Sequence, residues 1–314
     1  MNRLKIAVVR GGRSAEREIS LKSGEQVAKA LTNRGHNVQE MDLSPHLLSD
    51  LISGSFDIVF LALHGRYGED GTIQGMLDLF DIPYTGCGVL ASALCIDKAM
   101  TKRILSSHDL PVPPGTVITQ SRYRENSAEV IAEILAQVSL PAIVKPNREG
   151  STVGITLVED QTALPGALQE AFSRDELILV ERYITGIELT VPVLGNDKPE
   201  ALPIIEIKPK NRYYDFESKY APGGSEHIIP ARIPEGVARV IQEMAVKAYQ
   251  VLRCQVYSRI DFIYDPETHS PYILENNTLP GMTETSLFPD AARYMGIEFG
   301  ELIERIISLS LEHR

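Results

Sequence analysis

The chain has 314 residues, 43% of them hydrophobic and 23% charged, with a formal net charge of −11. That length can bury a large core split over two or three domains. The acidic surplus excludes a nucleic-acid-binding face, which needs clustered positive charge.

Taken in chain order, Leu4 to Val9 predicts a buried strand, and Gly11-Gly12-Arg13-Ser14 a turn. The run before that turn is too short for a signal peptide core or a membrane span. Ser20 to Asn33 has helical periodicity, and Gly35 stands where a helix-closing glycine belongs. Val38 to Met41 and Asp57 to Leu63 predict two more strands. The second is almost wholly apolar, as a parallel strand covered on both faces should be. The opening segment therefore predicts a doubly wound βαβ domain.

Ala91 to Ser107 predicts one helix, carrying Lys98, Lys102 and Arg103. Leu110-Pro-Val-Pro-Pro114 breaks the pattern and predicts a hinge or domain entry. Pro141 to Lys145 and Glu176 to Glu181 predict strands. Thr162 to Phe172 predicts a helix between them, with Pro165 tolerated in its first turn. Glu188 to Leu194 opens a strand-rich region that runs to Pro234. Within it, the polar stretch Lys208 to Glu226 is long enough to be a functional loop. Glu235 to Leu252 and Phe299 to Leu311 predict helices. Cys87, Cys95 and Cys254 are odd in number and lack zinc spacing, which predicts reduced thiols in a cytoplasmic protein.

Two short apolar runs carry the densest chemistry: Arg259-Ile260-Asp261-Phe262 and Leu274-Glu275-Asn276-Asn277, the latter leading into Thr278-Leu279-Pro280-Gly281-Met282-Thr283. Side chains on a strand alternate between faces. Arg259 therefore shares a face with Asp261, and Glu275 with Asn277. If the strands are neighbours, Asp261, Glu275 and Asn277 converge as hard oxygen donors, the kind magnesium prefers. Either strand alone would read as amphipathic with a solvated polar face; the two together point to a site.

Neither GxxxxGK[ST] nor GxGxxG is present, so a nucleotide must be held by another route. Lys145 ends an apolar strand before Pro146. The loop from Asn147 to Gly154 offers backbone amides to phosphate oxygens, and Lys98 could reach the same anion. Glu181, Arg182, Tyr183 and Ile184 could present backbone hydrogen bonds to an adenine, with Glu188 placed for ribose hydroxyls. Each element alone also has a plain surface or hairpin reading.

These segments resemble the ATP-grasp ligases, and within them the family that joins D-alanine to D-alanine. The resemblance covers essentially the whole chain. It rests on Gly11-Gly-Arg-Ser-Ala-Glu-Arg-Glu-Ile-Ser20, Leu63-His-Gly-Arg-Tyr-Gly-Glu-Asp-Gly71, Pro83-Tyr-Thr-Gly-Cys-Gly-Val89, Lys145-Pro-Asn-Arg-Glu-Gly-Ser151, Tyr214-Asp-Phe-Glu-Ser-Lys-Tyr220 and the two metal segments. It implies an α/β fold of three-domain ATP-grasp architecture with an N-terminal doubly wound parallel sheet. The expected division is a substrate domain at 1–95, a central lid domain at 96–185 and a catalytic domain at 186–314. It also implies ATP with two Mg²⁺ or Mn²⁺ ions, D-alanine as substrate, a homodimer, and a cytoplasmic place in peptidoglycan precursor synthesis with no nucleic-acid or membrane partner.

Site roles implied by the resemblance fall on matching positions. Glu16 would bind the ammonium of the first D-alanine. Lys98, Lys145 and Lys219 would contact phosphates, and Asp261, Glu275 and Asn277 would ligate the metal. Arg259 and the Gly281 amide would stabilise the transferred phosphoryl group and the tetrahedral intermediate. Ser286 and the Leu287 amide would receive the carboxylate of the second substrate. Ser151 and Tyr220 would latch a loop over the site with Glu16. His64 is open between lining the substrate pocket and a structural role, and Tyr257 is unassigned. Two departures stand out: Ser258, where many relatives have glycine or alanine, and Asn276, where an apolar residue is usual. Asn276 is expected to point away from the metal.

Three other readings compete. A D-alanine–D-lactate ligase is disfavoured by the Lys219-Tyr220 pair. A glutathione-synthetase-like ligase is disfavoured by the Glu16 segment. A non-catalytic nucleotide-binding regulator would be expected to have lost some of its lysines and metal positions.

Overall fold

A computed structural model of the chain describes residues 2–14, 16–150, 154–209 and 225–312. Ser151, Lys219 and Tyr220, named above for the latch and the phosphates, lie outside the described residues. The first sheet is parallel, in the order β2-β1-β3, with β1 at Lys5–Arg10, β2 at Asn37–Asp42 and β3 at Ile58–Leu61. All four residues of β3 are buried. Strand Asp57 to Leu63 is therefore shorter than its apolar run predicts. The run goes on to Leu63, but pairing stops at Leu61 and the chain turns into the loop that carries His64.

The helix Arg17–Asn33 packs on β1 and β2. Gly35 closes it with φ +90, and His36 N–H donates back to Leu31 O at 3.2 Å, the bond that satisfies a last-turn carbonyl. The turn before this helix needs glycine at position 11. Its φ is +82, and an added Cβ would lie 2.3 Å from Asp42 Oδ1. Asp42 in turn accepts from Gly12 N–H (3.1 Å) and Arg17 (2.9 Å), fixing the chain that leads to Glu16.

The core under this sheet is completed from the far end of the sequence. Helix Phe299–Leu311 buries Phe299, Leu302, Ile303, Ile306 and Ile307 on one stripe, the 3–4 residue spacing of an amphipathic helix. Each such side chain contributes about 1.5–3 kcal/mol on burial. The helix lies against Arg17–Asn33, and Leu287–Tyr294 joins the same core.

The second sheet is antiparallel, ordered β4-β7-β5-β6: β4 is Gly115–Thr119, β5 Ala142–Pro146, β6 Thr156–Val158 and β7 Leu177–Arg182. Helices Ser127–Gln137 and Leu164–Phe172 cover it, the latter with its proline in the first turn. The third sheet is six-stranded. Its order is β11-β10-β8-β12-β13, with β9 on β8. The strands are β8 Ile187–Leu194, β9 Glu200–Ala201, β10 Ile205–Pro209, β11 Ser225–Ile228, β12 Tyr257–Asp265 and β13 Ser270–Asn277. Helix Glu235–Val251 packs behind it.

One predicted helix is two. Ala91 to Ser107 divides into Val89–Ile96 and Lys98–Ser107, because Asp97 leaves the helical region (φ −87, ψ 94) and caps the second helix by accepting from Met100 N–H at 3.0 Å. A short carboxylate is a good N-cap and a poor helix-interior residue. The break makes Lys98 the first residue of a new helix. Ala99 N–H there donates to Asn147 Oδ1 at 2.8 Å, tying the helix start to the loop after β5.

Candidate functional site

Strands β12 and β13 place the predicted cluster by register. Arg259 sits opposite Asn277, and Asp261 opposite Glu275; a bulge follows between Asp261 and Phe262. Arg259 grips Asp261 with Nε (2.9 Å) and Nη2 (2.8 Å). Asn277 Nδ2 donates to Asp261 Oδ2 at 3.0 Å, and Thr190 Oγ1 on β8 donates to Oδ1 at 2.5 Å. Asp261 is thus the hub of the cluster. Asn276 faces the other way, paired with Ile260, and donates to Cys254 Sγ (3.0 Å) and Cys95 Sγ (3.3 Å). Tyr257 is buried in the core, edge-on to Phe288 with ring centroids 5.6 Å apart.

A cavity of about 340 Å³ opens between the second and third sheets. From the predicted set, Lys98, Lys145, Glu181, Tyr183, Ile184, Glu188, Asp261 and Glu275 line it. Its apolar walls include Ile143, Leu157 and Phe262, a lining suited to a flat ring with a few placed polar groups. Lys98 Nζ donates to Glu149 O at 2.7 Å and lies 3.6 Å from Glu275. Lys145 is buried rather than solvated at a strand end, with its Nζ 2.7 Å from Glu181 Oε2. Burial opposes ionisation of Glu181, but Lys102 and Lys145 together outweigh it and hold the carboxyl below the usual range.

The donor set suits a divalent cation. Two carboxylates stand at one register, and Asn277, which spends its Nδ2 on Asp261, keeps Oδ1 as the oxygen it could offer a metal. Among the described residues no three His, Cys, Asp or Glu side chains are grouped to hold a metal. Two carboxylates and an amide instead match an ion whose remaining places are filled by phosphate oxygens and water.

A second group of residues gathers where the loops after β1, β3, β5 and β13 meet. Glu16 is 8% exposed. An added Cβ at Gly150 would lie 2.9 Å from its Oε2, and one at Gly65 3.3 Å, so both loop backbones approach this carboxylate closely. His64 is buried, and its Nδ1 donates to Leu279 O at 3.0 Å. The loop after β13 docks on the first helix, where Glu284 N–H donates to Gln26 Oε1 at 2.6 Å. An added Cβ at Gly281 would lie 3.2 Å from Ser286 Oγ. Ser286 stands at the N-cap position of helix Leu287–Tyr294 without a side-chain cap bond. Its Oγ accepts from Thr283 N–H at 3.0 Å, leaving the Leu287 amide in the first turn, where backbone donors and helix dipole favour a carboxylate.

Glu69 joins this group from the segment Leu63 to Gly71, where neither spacing nor the resemblance gives it a role. Its carboxyl accepts from Gly65 N–H at 2.6 Å and from the backbone of Leu279. Burial, with the nearby Glu16 carboxylate adding to it, pushes it up to about 8. Such a group takes up a proton on folding between pH 4.5 and 8, so its contribution to stability falls as pH rises through that window. Glu69→Gln imitates the protonated form. It is expected to flatten the loss of melting temperature between pH 5 and 8; a slope as steep as the wild type's would refute the assignment.

The family model described as "D-ala D-ala ligase C-terminus" matches residues 104–308, and that described as "D-ala D-ala ligase N-terminus" matches residues 45–87. The D-alanine–D-alanine ligase of Desulforamulus reducens is 50% identical over 311 residues, spanning 98% of this chain and 99% of its own. That of Carboxydothermus hydrogenoformans is 47% identical, spanning 99% of each. Among solved structures, a D-alanine–D-alanine ligase from Bacillus anthracis complexed with ATP superposes with a TM-score of 0.82 at 31% identity, covering 98% of this chain and 97% of that one. The enzyme from Coxiella burnetii superposes at 0.84 with 26% identity, covering 100% and 95%.

Proposed function

The chain belongs to the D-alanine–D-alanine ligase family, and we infer on that premise that it draws on ATP to join two D-alanine molecules into D-alanyl-D-alanine, releasing ADP and phosphate. The carrying observation is the Arg259–Asp261–Glu275–Asn277 cluster at the edge of a cavity that Lys98 and Lys145 also line.

The first D-alanine is held by its ammonium against Glu16, at the meeting of the four loops. Its carboxylate then faces Arg259 and the nucleotide cleft. The adenine lies along the backbone of Glu181 to Ile184, with Glu188 on the ribose. Lys98 and Lys145 draw the phosphates toward the loop after β5, joined by Lys219. Attack of the carboxylate on the γ-phosphate gives a D-alanyl phosphate. Negative charge spreads over the equatorial oxygens in that step, so preorganised cations lower its barrier. Arg259 has such a cation in place, and Asp261 fixes its plane. Asp261, Glu275 and Asn277 would hold Mg²⁺ or Mn²⁺. Bound there, the metal would neutralise charge on the β- and γ-phosphate oxygens.

The second D-alanine places its carboxylate at Ser286 and the Leu287 amide. Its amine attacks the acyl phosphate, and the oxyanion that forms is met by Arg259 and the Gly281 N–H. Phosphate then leaves. An acyl phosphate hydrolyses readily, so water must be kept out; the resemblance gives that task to a latch of Ser151 and Tyr220, both outside the described residues, with Glu16. His64, through Leu279, positions the loop that carries Gly281.

The division into domains at 1–95, 96–185 and 186–314, the homodimer, and the cytoplasmic role in peptidoglycan precursor synthesis belong to the same reading. For the homodimer, Leu79, Phe80 and Leu90 are exposed apolar residues on or beside two helices that touch one another. For the location, no helix among the described residues is long and apolar enough to cross a membrane, and all three cysteines are buried thiols.

A phosphate-release assay over D-alanine, L-alanine and D-lactate tests the activity. Release that depends on D-alanine, with the dipeptide as product, is expected. ATP binding with no D-alanine-dependent release would leave only a nucleotide-binding protein. Preferential ester formation with D-lactate would change the second substrate.

A further inference from the structure

We propose that Lys102 is a positioning residue for ATP: it takes a share of the Glu181 carboxylate from behind, so that Lys145 keeps net positive charge toward the phosphates. This rests on the reading of the cleft as the nucleotide site. Glu181 stands in the wall between two cavities. One is the cleft of about 340 Å³ and the other a cavity of about 400 Å³ beside the proline-rich entry to β4, lined by Lys102, Arg103, Pro113 and Thr116. From the cleft side Lys145 Nζ reaches Glu181 Oε2 at 2.7 Å. From the other side Lys102 Nζ reaches Oε1 at 2.8 Å. The three residues are 7%, 6% and 3% exposed for Lys102, Lys145 and Glu181, so solvent screens them little.

The charge count decides the role. Two lysines and one carboxylate leave this corner of the cleft with one positive charge. Without Lys102, the remaining Lys145–Glu181 pair is neutral, and the phosphates meet a dipole instead of a cation. The Lys102 contact is an ion pair at 2.8 Å, and its charge and its side-chain hydrogen bond both favour the ionised Glu181 carboxylate. Burial pushes the Lys102 ammonium down to about 8 against the pull of Glu181, with Lys145 adding to the fall. The Glu181 carboxylate, 2.8 Å away, favours the charged form against that burial. The helix Lys98–Ser107 organises the arrangement, because residues four apart share a face. It presents Lys98 to the phosphate loop and Lys102 one turn behind it.

Lys102→Met, Lys102→Gln and Lys102→Arg test this in the full-length chain, with KM measured for ATP and for D-alanine and calorimetric binding of ADP and of adenosine. Loss of one nearby charge is expected to raise the KM for ATP about tenfold in Lys102→Met. The KM for D-alanine and the affinity for adenosine should each move less than twofold, and Lys102→Arg should stay within twofold of wild type throughout. Lys102→Gln replaces Lys102→Met if the latter does not fold. Three results would each overturn the proposal: an unchanged KM for ATP in the neutral variants, an arginine variant as impaired as they are, or adenosine affinity falling as far as that for ADP. A wild-type chain that binds no ADP would overturn the site reading and this inference together. A wild type that binds makes the variants a test of Lys102 alone.

Discussion

Asp261→Asn is expected to lower kcat/KM by about 10³-fold, at the upper end of what removing one preorganised electrostatic group costs. It is also expected to lower the melting temperature. Asp261 accepts from both Arg259 nitrogens, from Asn277 Nδ2 and from Thr190 Oγ1. An amide at this place would turn an N–H toward one of these donors and take from Arg259 the charged carboxylate that both its Nε and Nη2 grip. Removing one partner of such a buried pair costs about 3–5 kcal/mol. Glu275→Gln is the informative contrast. Glu275 is met by Lys98 at 3.6 Å, a looser contact, so turnover and magnesium-nucleotide binding should fall together while the melting temperature changes little. Wild-type turnover in either variant would remove both carboxylates from the metal assignment. A melting temperature that drops equally in both would mean that Asp261 is no hub.

Glu16→Gln should raise the KM for D-alanine by about 100-fold or more, because truncating one member of a desolvated charge pair costs about 2–5 kcal/mol. The KM for ATP should hold, since Glu16 is not among the residues lining the nucleotide cleft. Two effects act on Glu16 at once. It would lose the ammonium of the substrate, and its loss would also lift the charge that helps to keep Glu69 protonated. The double variant Glu16→Gln/Glu69→Gln separates them. If the KM for D-alanine is governed by Glu16 alone, the double variant matches the single one. A Glu16→Gln enzyme with unchanged D-alanine kinetics would place the first substrate elsewhere.

Much of the fold was legible because its signals are local. The apolar run of β3, the glycine after the first helix, and the stripe of Phe299–Leu311 each follow from spacing within one element. Alternation put Arg259 with Asp261 on one face of β12, Glu275 with Asn277 on one face of β13 and Asn276 on the opposite one; the pairing of the two strands then brought the four together and set Asn276 against the thiols. The break at Asp97 was also a local matter. A cap signal lay within a helical pattern, and the apolar periodicity on both sides hid it.

The sequence by itself determined which residues could do chemistry and which of them share a strand face, because periodicity is a property of consecutive residues. Only the tertiary structure decided how groups far apart in the chain share charge. Glu69 meets Glu16 because two parallel strands end side by side and their loops converge. Lys102, Lys145 and Glu181 form one ion network because a helix and two strands pack together. Helices from the C-terminal end complete the N-terminal core in the same way. Coulombic coupling and desolvation depend on distance and burial, and neither is written in residue order.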